Sequence, residues 1–236
     1  MRMRKKPNLV PRMERCSALQ ISQPELMRGA WRESFSDYEK IWLEIGCGKG
    51  RFTAQTAESS PEVMLLAVEK VADAMVKGME RCFDGGIHNV RFMDMDALKL
   101  HDVFDAGEVD RIFINFCDPW PKSRDAKHRL TAPGFLRSYA ELLDTGGEIH
   151  FKTDNRPLFD WSVSQFSDEG WLLREVTNDL HENGVVGVMT DYEAKFHAQG
   201  IPINRLVAVK TEGTKDSSSG EVPRLREAAL SDARGN

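Results

Sequence analysis

The sequence predicts an α/β fold in which a mostly parallel, Rossmann-like sheet carries helices on both faces and an antiparallel hairpin at one edge. Three observations support this prediction. An apolar run at 41–45 passes through a glycine-rich turn into a helical pattern, which is the first half of a βαβ unit. The run at 63–68 is apolar, as expected for a parallel strand covered on both faces. Two late strands, 171–177 and 203–210, have no long crossover helix between them, which favours an antiparallel pair.

The other elements follow in chain order. The glycine turn leads into a helix from Arg51 to about residue 59. Strand 63–68 is followed by an amphipathic helix at 72–83 and by strands at 90–93 and 110–116. Beyond these, the pattern predicts a helix, a strand, a helix and, after a glycine-rich loop, a short helix: 131–143, 148–152, 156–166 and 190–199.

Length, composition and cysteine usage limit the class of protein. The 236 residues fit one α/β domain with tails, and 41% hydrophobic and 29% charged residues are ordinary for a globular protein. No apolar run approaches the roughly 20 residues that cross a bilayer, and the basic N-terminus lacks the apolar segment of a secretory signal. The four cysteines form no C-x-x-C pair, and the histidines do not cluster with them. We therefore predict a cytoplasmic protein with reduced thiols, no metal site and no membrane partner.

Charge and composition divide the chain into three predicted regions. Residues 1–35 are a basic N-terminal arm, partly flexible, and residues 1 to about 30 are expected to contain at most one short helix. Residues 36–210 form the folded domain, and residues 211–236, rich in Ser, Gly and charged residues, form a disordered tail. The net charge of −5 argues against a uniformly basic nucleic-acid coat but leaves local basic patches possible.

The glycine turn is the first feature that indicates a ligand. Gly46, Gly48 and Gly50 allow the backbone to turn sharply and to approach a bound molecule closely. Glu44 lies within the strand before the turn, where a carboxylate is unfavourable unless it meets a donor or a cation. Glu69 ends the second strand, where a carboxylate reaches the ribose hydroxyls of a bound nucleoside.

The spacing of the turn favours one class of ligand. Dinucleotide cofactors prefer G-x-G-x-x-G, with backbone N–H groups directed at a pyrophosphate. A G-x-G-x-G turn with an acid two residues ahead fits a ligand that has an ammonium and a ribose but no phosphate, such as S-adenosylmethionine. Asp96, after the third strand, is a candidate to bind the adenine amino group. A nicotinamide or flavin cofactor, and a packing turn without a ligand, remain alternatives.

The second chemical feature is the stretch at 112–130. An apolar run at 112–116 ends at Asp118-Pro119-Trp120, so a carboxylate and an aromatic ring follow a buried strand directly. In an open α/β sheet, ligands bind in the crevice outside the carboxyl ends of the strands. Four cations follow in this stretch: Lys122, Arg124, Lys127 and Arg129.

Six motifs taken together resemble those of the bacterial tRNA (guanine-N(7)-)-methyltransferases, the TrmB family. They are LEIGCGKG, VEK, DA, CDPWPKSRDAKHRL, FKTD and TDYEAKF, and they span about residues 40–210. The resemblance implies a class I methyltransferase fold with a seven-stranded sheet. It also implies S-adenosylmethionine as the cofactor, tRNA as the partner and methylation of guanine N(7) at position 46 of the variable loop. The oligomeric state, monomer or homodimer, stays open.

The resemblance also implies roles for single residues. Glu44, Glu69, Asp96 and Asp118 would bind the methyl donor together with the glycine turn, and Asp118 would be the active-site residue. The substrate would contact Lys122, Asp154, Thr190, Asp191, Tyr192 and Glu193. We expect Arg124, Lys127 and Arg129 to bind RNA phosphates, although Asp125 and Ala126 interrupt the denser cationic run of many members.

The chemistry of guanine N(7) restricts what these carboxylates do. This nitrogen carries no proton, so its methylation needs no general base, and alignment alone supplies up to about 7–11 kcal/mol. We therefore predict that Asp118, Asp154 or Glu193 orients guanine by accepting hydrogen bonds from its Watson–Crick edge. The alternatives are an amino-methyltransferase acting on an exocyclic amine, whose [DN]-P-P-aromatic motif is close to DPWP, a non-catalytic RNA-binding module and a nicotinamide oxidoreductase.

Overall fold

The computed structural model describes residues 8–218, and these form one mixed, seven-stranded sheet. The strand order is β3-β2-β1-β4-β5-β7-β6. The first five strands are parallel, and β7 runs antiparallel to both β5 and β6. The predicted fold class is confirmed, with its antiparallel pair at one edge. The strands are β1 (Lys40–Ile45), β2 (Val63–Glu69), β3 (Val90–Asp94), β4 (Val109–Asn115), β5 (Leu143–Thr153), β6 (Leu172–Thr177) and β7 (Asn204–Val209).

Helices pack on both faces of the sheet because successive strand residues point to opposite sides. Met64, Leu66 and Val68 of β2 belong to the larger core, whereas Leu65 and Ala67 belong to the smaller one. The larger core contains side chains of α2, α5, α6 and α7, and the smaller core contains those of α3 and α4. The helices are α1 (Leu9–Arg15), α2 (Trp31–Ser34), α3 (Arg51–Ser59), α4 (Ala72–Asp84), α5 (Leu100–Val103), α6 (Pro133–Leu142), α7 (Arg156–Asp168) and α8 (Asp191–His197).

The described part of the predicted N-terminal arm packs against the domain. Arg12 of α1 donates from Nε to Oε1 of Glu80 at 2.7 Å, and Arg15 pairs with Asp84, so two of the arm's cations are neutralised by α4. Residues 1–7 of the arm, which is predicted to be partly flexible over 1–35, lie outside the described residues. The arm therefore presents less free positive charge for RNA than its composition indicates.

A buried tryptophan extends this packing to the opposite face. The Trp31 side chain is fully buried, and its indole N–H donates to the Val103 carbonyl at 2.9 Å. Residues 8–30, where at most one short helix is expected, contain one α-helix, α1, and the two 3-10 turns Ser17–Leu19 and Pro24–Met27, and α2 begins just beyond them. Hydrophobic periodicity does not identify elements this short, because none of them is longer than about two helical turns.

The C-terminal end of the described chain also continues past the predicted boundary. Thr211 and Thr214 each donate a side-chain hydrogen bond to the Gly170 carbonyl, at 3.2 and 3.1 Å. The Lys215 N–H donates to the Glu169 carbonyl at 2.9 Å. The predicted disorder of 219–236 lies outside the described residues. Among the residues that are described, no helix has both the length and the apolar character needed to cross a membrane.

Candidate active site

A cavity of about 630 Å³ lies at the carboxyl ends of β1, β2, β3 and β4, with α8 at its side. Parallel strands bring residues that are distant in sequence together at this edge. Predicted site residues that line the cavity are Glu44, Gly46, Gly48, Glu69, Asp96, Asp118, Thr190, Asp191 and Tyr192. Predicted site residues that do not line it are Gly50, Lys122, Arg124, Lys127, Arg129, Asp154 and Glu193.

The three glycines of the turn have different surroundings, and each position favours glycine for its own reason. Gly46 and Gly48 have φ values of 80° and 56°, and a Cβ at either would meet no atom within 4 Å, so both border open space. Gly50 also has a positive φ, of 71°, but its Cβ would overlap the backbone of Gly78 in α4. Gly50 therefore permits close packing of the turn against α4, whereas Gly46 and Gly48 leave room for a ligand.

Two acids of the cavity are fixed by backbone donors. Glu69 accepts hydrogen bonds from the N–H groups of Gly48 and Val71, at 3.0 and 2.9 Å. Asp96 accepts from the Leu98 N–H at 3.0 Å and caps the short turn after β3. These bonds orient each carboxylate, and its remaining lone pairs can accept hydroxyl or amino donors of a nucleoside.

Glu44 is a buried acid on the floor of the cavity. Its side chain accepts a hydrogen bond from Thr53 Oγ1 at 2.6 Å, and the residue is 2% exposed. Burial raises the pKa of Glu44 to about 7, although the Thr53 hydrogen bond acts in the opposite direction. A carboxyl held in this way binds a ligand ammonium more strongly than an exposed acid would, because less water competes for it.

The raised pKa of Glu44 gives a stability prediction with a definite sign. Between its ordinary pKa of 4.5 and about 7, the folded protein binds more protons at Glu44 than the unfolded chain does. This group therefore lowers the free energy of unfolding as pH rises through that window, by at most about 1.4 kcal/mol per pH unit. We expect Glu44→Gln to remove this contribution. Urea unfolding of both proteins from pH 5 to pH 8 measures it, and a difference in stability that does not change with pH would contradict the prediction.

Asp118 lies on a loop that has an unusual backbone. Phe116 and Trp120, two residues to either side of it, have φ values of 54° and 43°. Non-glycine residues in this region cost about 1–3 kcal/mol each, and such residues cluster at functional sites. The Phe116 N–H donates to the Lys152 carbonyl at 2.9 Å, which fixes the start of the loop. The Asp118 carboxylate is exposed and has no hydrogen-bond partner among residues 8–218.

Arg129, one of the four cations predicted to bind RNA, makes contacts within the protein. Its guanidinium donates to the carbonyls of Pro119 and Trp120, at 3.0 and 2.9 Å, and lies 4.3 Å from the ring centroid of Trp161. Arg129 therefore holds the loop that carries Asp118 against α7. In contrast, Lys122, Arg124 and Lys127 are exposed, on or directly before the 3-10 segment Ser123–His128.

Glu193 is fully buried, so the geometry argues against the direct substrate contact predicted for it. Oε2 accepts from Lys152 Nζ at 2.7 Å and from the Thr190 N–H at 3.1 Å. Oε1 lies 3.0 Å from Nε2 of His181. Because the Val186 N–H donates to Nδ1 of His181, Nε2 carries the hydrogen and donates to Glu193. Both carboxylate oxygens are therefore engaged inside the protein.

This buried network holds the loop before α8. Lys152 Nζ also donates to the Val188 carbonyl at 3.0 Å, so the sheet is connected directly to the glycine-rich loop. Burial lowers the pKa of Lys152, and Glu193 opposes that shift. Thr190 caps α8 by accepting the Glu193 N–H at 2.9 Å, in a reciprocal capping box. The sequence signal for this network was a lysine within a predicted strand of the sheet, at the end of 148–152.

The first turn of α8 faces the cavity. Asp191 lies 3.7 Å from the Arg81 guanidinium of α4, and Tyr192 is 62% exposed. Tyr192 and Trp120 both line the cavity and give it exposed aromatic surface. Asp154 lies outside the cavity, and Asn155, not Asp154, caps α7 by accepting the Leu158 N–H.

Sequence reasoning missed Asn115, a buried polar residue of the cavity at the end of β4. It lines the cavity, is 8% exposed, and neither amide atom has a hydrogen-bond partner among the described residues. Its only sequence signal was a polar residue inside an apolar run. Within the described ranges, no group of three or more His, Cys, Asp and Glu side chains is arranged to hold a metal ion.

Comparisons with known proteins place this site in context. The sequence profile of a family described as putative methyltransferases matches residues 38–206. The tRNA (guanine-N(7)-)-methyltransferase of Bacillus velezensis is 43% identical over 206 residues, which are 87% of this chain and 95% of that protein. The same enzyme of Listeria monocytogenes is 42% identical over 88% of this chain and 98% of its own length. That of Bacillus subtilis is 42% identical over 87% and 97%.

Solved structures are similar in fold at much lower sequence identity. The 16S rRNA methyltransferase KamB has a TM-score of 0.62 at 17% identity, over 78% of this chain and 93% of that one. A 16S rRNA (adenine(1408)-N(1))-methyltransferase solved with cosubstrate SAM has a TM-score of 0.55 at 15% identity, over 78% and 91%. TrmN from Thermus thermophilus has a TM-score of 0.52 at 21% identity, over 79% of this chain and 48% of that one.

Proposed function

The chain belongs to the family of bacterial tRNA (guanine-N(7)-)-methyltransferases, and on that premise we propose that it methylates guanine N(7) in tRNA with S-adenosylmethionine as the donor. One observation carries the proposal. A single cavity is lined by three acids suited to a nucleoside with an ammonium group, Glu44, Glu69 and Asp96, and by the acid of the loop after β4, Asp118.

The residues present fit the proposed donor. Open space beside Gly46 and Gly48 leaves room for it, and the oriented carboxylates of Glu69 and Asp96 match hydroxyl and amino donors. When bound, the donor supplies a methyl group on a positively charged sulfur, which needs no further activation. The protein then has to hold the target nitrogen in line with that methyl group and to exclude competing acceptors.

Asp118 is the acid best suited to orient the base. Its carboxylate lines the cavity without a partner in residues 8–218, whereas Glu193 is fully engaged and Asp154 lies elsewhere. Guanine presents hydrogen-bond donors on its Watson–Crick edge where adenine presents an acceptor, so a carboxylate there selects guanine. Trp120 and Tyr192 provide exposed rings on which a base can stack, worth about 1–3 kcal/mol per base.

Three finer points belong to the same proposal and rest on the resemblance or on composition. The target is guanine 46 of the variable loop, the protein acts as a monomer or homodimer, and it works in the cytoplasm. The free cysteines of the described chain agree with a reducing compartment. The domain limits 36–210 stay a prediction as well.

The activity is tested with unmodified tRNA and a methyl-labelled donor. We expect label in 7-methylguanosine, detected by borohydride–aniline cleavage at one site, and none in a tRNA whose guanine 46 is replaced by adenine. Nucleoside mass spectrometry distinguishes the reaction classes. Label on an exocyclic amine would overturn the proposal in favour of the amino-methyltransferase, and binding of tRNA without any label would favour a non-catalytic module.

The exposed cations after Asp118 are expected to bind tRNA phosphates. Each phosphate contact contributes about 0.7–0.9 to the slope of log affinity against log salt concentration. We expect the triple variant Lys122→Ala, Arg124→Ala, Lys127→Ala to reduce that slope by about 2, measured by filter binding between 50 and 200 mM salt. Arg28→Ala is the control, since it removes an exposed, ion-paired cation outside this segment. An unchanged slope in the triple variant would exclude this role.

A further inference from the structure

The side-chain amide of Asn115 is a buried polar group that neither the fold nor the proposed alignment of guanine uses. The residue is 8% exposed, and both Oδ1 and Nδ2 lack a hydrogen-bond partner in the described residues. An unsatisfied buried donor or acceptor costs about 1–3 kcal/mol. Such groups are rare in folded proteins, so an amide with both atoms unpaired at a cavity wall indicates a ligand.

The sheet register locates this amide within the cavity. Ile114 is paired with Ile45, so Asn115, one residue further, lies beside Gly46 at the start of the glycine turn. A Cβ on Gly46 would meet nothing within 4 Å, which leaves open space next to the unpaired amide. Asn115 also lies close enough to Glu44 to lower the pKa of the Glu44 carboxyl. The two side chains nevertheless do not form a hydrogen bond of normal distance and angle.

The groups around this space are complementary to an amino-acid zwitterion. Glu44 supplies a carboxyl whose ionised form a nearby ammonium would favour, and the amide of Asn115 supplies both an acceptor, Oδ1, and a donor, Nδ2. An α-ammonium donates hydrogen bonds and an α-carboxylate accepts them, so one amide can serve both ends of such a group. The acids suited to ribose and adenine are further along the cavity: Glu69 is the last residue of β2, and Asp96 follows β3.

We propose that Asn115 binds the amino-acid end of the methyl donor, with its amide hydrogen-bonded to the α-ammonium and α-carboxylate groups. This inference rests on the proposed function, because it names the part of the donor that Asn115 recognises. Asn115 thereby distinguishes the complete donor from nucleosides that share its adenosine and sulfur but lack the amino acid. In the complex, the donor supplies the hydrogen-bond partners that the amide lacks in the free protein.

The experiment compares two probes on the full chain by isothermal titration calorimetry. S-adenosylhomocysteine carries the amino-acid end, whereas 5′-methylthioadenosine has the same adenosine and a thioether sulfur but no amino acid. We expect Asn115→Leu and Asn115→Ala to weaken S-adenosylhomocysteine binding by about 10- to 100-fold, the range for hydrogen bonds to charged groups. Binding of 5′-methylthioadenosine is expected to change less than about twofold. The leucine variant is also expected to be at least as stable as the wild type, because it buries no unpaired amide.

Thr56→Val is the matched control. Thr56 Oγ1 is likewise buried without a hydrogen-bond partner, but Thr56 does not line the cavity, so its removal is expected to leave both affinities unchanged. Equal losses of affinity for the two probes in the Asn115 variants would overturn this inference but leave the proposed function in place. A wild-type protein that binds neither probe would overturn the proposed function itself.

Discussion

Replacing Asp118 by alanine is expected to lower kcat/KM for tRNA methylation by about 10²-fold or more. A misplacement of about 1 Å costs about 10²-fold in rate, and no other acid of the predicted orienting set has a free carboxylate in the cavity. Folding stability is expected to change by less than about 0.5 kcal/mol, because the side chain is exposed. Single-turnover kinetics with saturating donor and denaturant unfolding measure the two quantities.

The asparagine variant distinguishes orientation from proton abstraction. An orienting Asp118 leaves Asp118→Asn with part of its activity, since the amide oxygen still accepts one hydrogen bond from guanine. A general base would leave Asp118→Asn as inactive as Asp118→Ala. Asp125→Asn, on the same segment but paired with the exposed Arg124, is the control and is expected to keep the wild-type rate.

The second large effect concerns the buried pair Lys152–Glu193. Removing one partner of a buried ion pair leaves an uncompensated charge and costs about 3–5 kcal/mol. We expect Lys152→Met and Glu193→Gln each to lower the free energy of unfolding by that amount. The double variant is expected to lose less than the sum, because it leaves neither buried charge. Urea unfolding of the four proteins gives the coupling energy, and strict additivity would contradict a direct interaction.

The same pair is expected to act on the reaction through the position of α8. Glu193 anchors Thr190 and, with Lys152, the loop before α8, so loosening it displaces Asp191 and Tyr192 at the cavity. Glu193→Gln should therefore raise the KM for tRNA more than the KM for the donor. Arg156→Met is the matched control, since it breaks an exposed i,i+4 pair with Asp160 and is expected to cost less than about 0.5 kcal/mol.

Burial decides which of the predicted acids line the cavity and which bind partners inside the protein, and sequence motifs do not give burial. The motif TDYEAKF identifies both Asp191 and Glu193 as site residues. In the structure, Asp191 lines the cavity, whereas Glu193 points into the protein and binds Lys152 and His181. His181 is distant in sequence from Lys152 and carried no signal of its own. The partner that saturates Glu193 becomes visible only when β5, the loop and α8 are packed together.

The cationic segment after Asp118 shows the same limit. Composition groups Lys122, Arg124, Lys127 and Arg129 as one RNA-binding set. The structure separates Arg129, which binds two carbonyls of the Asp118 loop and covers Trp161, from the three exposed cations. Arg12 and Arg15 of the N-terminal arm show the same dependence, because both form ion pairs with acids of α4. The sequence gives the charge of each residue. Whether that charge is free to bind RNA depends on which groups lie next to it in the folded protein.

The sequence by itself determined the order and type of the sheet elements and the glycine turn, and it predicted Glu44, Glu69, Asp96 and Asp118 as donor-binding residues, all four of which line the cavity. These features are local, since periodicity, turn residues and the polar residue that ends a strand are all read within a few positions of one another. Only the tertiary structure decided that Gly50 packs on α4, that Glu193 and Arg129 are held internally, and that Asn115 is left unpaired beside open space. Each of these depends on contacts between distant segments, and hydrogen-bond satisfaction and burial are defined only once those contacts exist.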